Sequence, residues 1–141
     1  MPSRALVIPF GLLVTSAVVD VVHLLTGQER FSSAAGHLIA AGLLLGLVTA
    51  AIGWLERIFG APLDARERRA FLRHGLFTAG VLVLFAASWS LRVGAEGWQP
   101  AWPALALSWA GVLAAAFGGA LGGRPVEEDA QPDTAGALRT A

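Results

Sequence analysis

Residues 36–55 read Gly-His-Leu-Ile-Ala-Ala-Gly-Leu-Leu-Leu-Gly-Leu-Val-Thr-Ala-Ala-Ile-Gly-Trp-Leu, a run with one imidazole, one hydroxyl and no formal charge. Crossing a bilayer takes about 20 predominantly apolar residues at a rise of about 1.5 Å each. Inside hydrocarbon every backbone N–H and C=O must find its partner within the segment, so the run is a helix. Three more runs of the same kind surround it, at 5–25, 75–91 and 103–123. Joined by short connections, the four spans predict an all-α, integral membrane four-helix bundle in antiparallel up-and-down order.

Composition agrees with that class. Hydrophobic residues make up 55% of the chain and charged ones 14%, against about 25% charged in soluble domains. There is no cysteine, which excludes disulfides and thiolate metal sites. A net charge of zero removes the clustered basic surface that nucleic-acid binding needs. The first run outlasts the usual h-region of about 7–15 residues and contains Asp20 and His23, so it reads as a retained helix, not a signal peptide. Thr26-Gly27-Gln28 reads as its exit, with glycine at the C-cap. Residues 1–123 form one domain. The segment 124–141 changes character, with Glu127, Glu128, Asp129 and Asp133 among prolines and glycine, and is expected to be a disordered acidic tail.

All ten basic residues are arginine, and they are distributed unevenly. Arg4, Arg57, Arg66, Arg68, Arg69, Arg73, Arg124 and Arg139 fall on the side shared by both termini and the middle connection. Only Arg30 and Arg92 fall in the two connections of the other side, 28–35 and 92–102. Positive charge is retained in the cytoplasm, so both termini are expected to be cytoplasmic, in a bacterial inner membrane. Trp54, Trp89, Trp98 and Trp102 lie near span ends and are expected to anchor in the headgroup region.

Lipid tails are as apolar as leucine, and membrane helices associate by close backbone approach at small residues. Gly42 and Gly46 show GxxxG spacing in the second span. Gly111, Ala115, Gly119 and Gly123 repeat every four residues in the fourth. These stripes are expected to mark helix contacts, within the bundle or between copies.

Ionisable residues inside a span are costly, and they generally face the bundle interior with a partner. Asp20, His23, His37 and His74 are the candidates. Asp20 and His23 share a helix face. His23 and His37, on adjacent helices, are expected at equal depth near the outer surface, and His74 at the opposite end. The two imidazoles suit axial ligation of haem b in an electron-transfer bundle. With Asp20 they also suit a metal-binding or proton-coupled carrier site. The bland alternative is a polar patch at the membrane boundary, with Asp20 held by a serine, threonine or histidine. No catalytic motif is present. The leading expectation is a structural or accessory membrane component, not an enzyme. Its expected partners are membrane lipids and either a second copy of the chain or a membrane redox protein.

Pro9-Phe10-Gly11-Leu12-Leu13-Val14-Thr15, Asp20 and Leu25-Thr26-Gly27 resemble the opening of a bacterial family of uncharacterised four-helix membrane proteins. Ala50-Ala51-Ile52-Gly53-Trp54-Leu55-Glu56 and Arg68-Arg69-Ala70-Phe71-Leu72-Arg73-His74 continue the resemblance. Members of that family are sometimes joined to Rieske iron–sulfur or cytochrome modules, which implies a redox context. The family pattern has entry histidines where this chain has Pro2-Ser3 and Val7. It has Asp at Glu56 and Asn at Thr78, while Asp20 and His74 are kept.

Overall fold

The computed structural model describes residues 7–122, and side-chain surroundings over 7–118. The expected tail at 124–141 lies outside the described residues. The described chain is all-α: α1 Val7–Thr26, α2 Glu29–Phe59, α3 Ala65–Arg92, a short 3-10 turn Glu96–Trp98, and α4 Trp102–Gly122. Helices α1, α2 and α3 are each long and apolar enough to cross a membrane, and α4 carries a shorter apolar stretch over Trp102–Gly118. Each helix runs back along its predecessor. The C-termini of α1 and α3 and the N-termini of α2 and α4 therefore meet at one end of the bundle, called here the Asp20 end.

Two helices extend well beyond the apolar pattern. The expected second span, 36–55, lies inside α2, which begins at Glu29 and ends at Phe59. The connection expected at 28–35 shrinks to Gly27 and Gln28. Gly27 adopts a left-handed φ of +66°, and its N–H donates to the His23 carbonyl at 2.8 Å, which closes α1 as a glycine at this position can. The third span, expected at 75–91, is the membrane part of α3, which starts ten residues earlier. Asp64 caps it: its carboxylate accepts from the N–H groups of Arg66 and Glu67, and the Glu67 carboxylate accepts from Asp64 N–H. Hydropathy marks where a helix is greasy, not where it ends. Arginine and glutamate are good helix formers in the aqueous turns, and the Asp64-x-x-Glu67 capping pattern was the available sign.

The buried core is small: Leu13, Ile39, Val81 and Phe85. Leu44, Leu47, Val83 and Leu113 are exposed, as side chains that face lipid are. Glycines carry the close contacts. A Cβ at Gly42 would lie 2.7 Å from Leu13 Cδ2, one at Gly46 2.8 Å from Leu82 Cδ2, and one at Gly111 2.6 Å from Phe85 Cε2. These three of the expected packing glycines contact neighbouring helices within the chain; the surroundings of Gly119 lie outside the described residues.

The α4 contact face includes Gly111 and Ala115 of the expected stripe, with Ala114 beside them, and continues toward the N-terminus of the helix. Ala104, Ser108 and Gly111 are buried, and Gly118 packs under the Phe77 ring. Four-residue steps drift about 40° each around a helix of 3.6 residues per turn. Alternating four- and three-residue steps hold one seam against a partner.

Candidate functional site

Asp20 sits near the end of α1, Arg92 at the end of α3, and Ser108 in the second turn of α4. The structure brings all three together in the interior. Arg92 Nη1 donates to Asp20 Oδ1 and Nη2 to Oδ2, both at 2.7 Å, and both side chains are 0% exposed. This is the parallel two-bond fork that guanidinium and carboxylate form together. It is the only ion pair among the described residues.

The network continues through hydroxyls. Arg92 Nη2 also donates to Ser108 Oγ at 3.3 Å. Ser88 Oγ donates to the Ala104 carbonyl at 2.6 Å, so the 2.7 Å contact between Ser88 and Ser108 takes its proton from Ser108. The chain therefore runs in one direction, from guanidinium to Ser108, to Ser88, to the α4 backbone, and each bond polarises the next. Two donors of α3, Arg92 Nε and Trp89 Nε1, have no acceptor among the described residues.

Two sequence-based expectations are corrected here. The sequence predicts a serine, threonine or histidine partner for Asp20, and its partner is Arg92. The hydropathy pattern places Arg92 in an outward connection, whereas it ends α3 and is buried. The sequence signal was indirect: a membrane-embedded carboxylate calls for a cation, and near that end of the bundle the arginines are Arg30 and Arg92. Arg30 stays exposed beside the Phe31 ring, 4.9 Å from its centroid.

The histidines take other places. His23 Nδ1 donates to the Gln28 carbonyl at 2.9 Å, and His37 Nδ1 to the Ser33 carbonyl at 2.7 Å. Neither bonds Asp20, whose two oxygens are taken by Arg92. His74 is exposed in the early turns of α3, at the opposite end of the bundle. No group of three His, Cys, Asp or Glu side chains suited to a metal ion forms among the described residues.

A second cluster, missed by the sequence reading, closes the same end. Gly97 and Trp98 both have positive φ, +63° and +59°, so the 3-10 turn swings the Trp98 ring inward. The ring lies where a Cβ at Gly36 would come within 2.6 Å. It sits 5.3 Å from the His37 ring and 6.2 Å from that of Trp89. Ser32 Oγ donates to the Gly97 carbonyl at 2.7 Å, and Gln99 Nε2 to Glu29 Oε1 at 3.1 Å, which clasps the turn onto α2. Trp89 and Trp98 are half-buried in this cluster, while Trp54 and Trp102 are exposed.

Ser108→Ala removes both the acceptor for Arg92 and the donor for Ser88. A loss of about 1–3 kcal/mol is expected. Ser90→Ala, on an exposed hydroxyl that bonds its own helix, is expected to change stability by less than about 0.5 kcal/mol. Denaturant titration of both variants in detergent checks the difference.

A buried ion pair inside the protein, with lipid-facing apolar surfaces around it, defines an integral membrane protein built as a four-helix bundle. The chain belongs to the family described as "Predicted membrane protein (DUF2231)", whose model matches residues 5–131, in agreement with the resemblance carried by Pro9–Thr15, Asp20 and Arg68–His74. No curated protein and no solved structure matches it.

Proposed function

We propose that the chain is a non-catalytic structural or accessory component of a bacterial inner membrane, with both termini cytoplasmic. The observation that carries this reading is the complete burial of Asp20 and Arg92 against each other. An intramembrane carboxylate in a carrier or proton path must meet water or cargo. Here the carboxylate spends both oxygens on one guanidinium, and a hydroxyl chain ties the pair to the backbone. Its work is to lock α1, α3 and α4 together. The orientation is supported by the arginine distribution, in which eight of the ten arginines fall on the side of the termini and the middle connection.

The haem b reading rests on His23 and His37, and the carrier reading on these histidines with Asp20. Each ring donates Nδ1–H to a backbone carbonyl, an arrangement that a ligating histidine shares, so spectroscopy separates the readings. A reduced-minus-oxidised absorption spectrum of the protein purified from its own membrane is expected to show no haem band. A band that disappears in the His23→Ala/His37→Ala double variant would overturn the structural reading. A reporter fused after Ala141 is expected to report the cytoplasm; activity only in the periplasm would reverse the orientation.

A further inference from the structure

One face of α3 changes chemistry along its length. Arg66, Arg69 and Arg73 recur at three- and four-residue spacing, which aligns them, and Leu76, Phe77, Gly80 and Leu84 continue the same face. From Arg73 onward these residues, with Ala114 of α4, line an open, almost wholly apolar groove of about 560 Å³. A Cβ at Gly80 would meet nothing within 4 Å, so this glycine serves no helix contact and its missing side chain leaves the groove open. Phe77 is held against α4 by the close approach of Gly118, which fixes one wall.

The groove matches the dimensions of one membrane leaflet. Arg73 precedes Arg92 by nineteen residues, about 28 Å of helix, close to the hydrocarbon thickness of about 30 Å. With the Arg92 end of α3 set near one boundary, this length puts Arg73 near the other. From Arg73 to Leu84 the helix rises about 16 Å, about half the hydrocarbon core. Arg73 is exposed and makes no ion pair among the described residues.

We propose that this groove binds one anionic phospholipid, with an acyl chain along Leu76, Gly80 and Leu84 and the headgroup phosphate on Arg73. Guanidinium pairs with phosphate through two parallel bonds. Arg69 and Arg66, one and two turns further from the hydrocarbon, favour a headgroup with no positive charge of its own.

The test uses the full chain, delipidated in detergent and titrated with phosphatidylglycerol or phosphatidylethanolamine, with bound lipid counted by native mass spectrometry. Phosphatidylglycerol is expected to bind the wild type more tightly. Arg73→Gln should weaken it about fivefold, the equivalent of about 1 kcal/mol for one arginine at an anionic surface. Gly80→Phe, which fills the groove, should weaken both lipids. Arg57→Gln should change neither, since Arg57 lies outside the groove and donates to the Ala61 carbonyl. Thermal melting of each variant identifies any that fails to fold; Arg73→Gln, at an exposed site, keeps the test valid if Gly80→Phe does not fold. Equal affinity for the two lipids would overturn the proposal. So would equal losses in Arg73→Gln and Arg57→Gln, or unchanged binding in a folded Gly80→Phe. None of these results would touch the structural role of the Asp20–Arg92 pair.

Discussion

Arg92→Ala is expected to destabilise the detergent-solubilised protein by about 3–5 kcal/mol, the largest loss from any single truncation in the chain. Asp20 would remain in a dry interior with neither of its two short bonds, and Ser108 would lose the guanidinium that donates to it. Asp20→Ala should cost a similar amount for the mirror-image reason, an orphaned guanidinium. The informative variant is the double replacement Asp20→Leu/Arg92→Met. Removing both charges also removes their desolvation cost, so it should be milder than either single change. Unfolding followed by tryptophan fluorescence during sodium dodecyl sulfate titration measures all three, since Trp89 lies one turn from Arg92. A double variant worse than both singles would mean that the pair does more than satisfy itself. That result would return Asp20 to the functional candidates.

Gly42→Leu is the second large effect, expected to cost about 1–3 kcal/mol or to prevent assembly. A Cβ there would lie 2.7 Å from Leu13 Cδ2, 2.8 Å from Leu13 Cγ and 3.2 Å from the Pro9 carbonyl oxygen. Leu13 has no room to move because it is itself a core residue at 0% exposure, and the carbonyl belongs to a helix backbone. The α1–α2 pair would have to separate. Gly53→Leu on the same helix meets nothing within 4 Å and should leave stability within about 0.5 kcal/mol of the wild type. Yield and thermal melting in detergent distinguish the two. Equal behaviour would mean that α1 and α2 are not in the close contact described.

Much of the architecture was legible before any coordinates. The run 36–55 admits only a helix in lipid, and the three others like it set the bundle class. Gly42, Gly46 and Gly111 were readable as contacts because small residues at helical spacing have few other uses between membrane helices. The helix ends were not legible from hydropathy, which falls off where helices leave the hydrocarbon although their backbone bonds continue. The Asp20 site was half legible. Its cost inside a span required a partner, and its position in the first span placed that partner at one end of the bundle.

The sequence by itself determined the class of the protein, the number of helices and the residues that needed explaining, because the solvent imposes those constraints locally. Lipid requires a satisfied backbone and apolar faces within each segment. Only the tertiary structure decided that Asp20 pairs with Arg92, 72 residues away, and that Ser108 and Ser88 complete the network. It also decided that Trp98 turns inward against Gly36, through two left-handed residues at Gly97 and Trp98. Helical periodicity states which residues share a face but not which helix that face meets. That choice is made by the packing of all four helices at once.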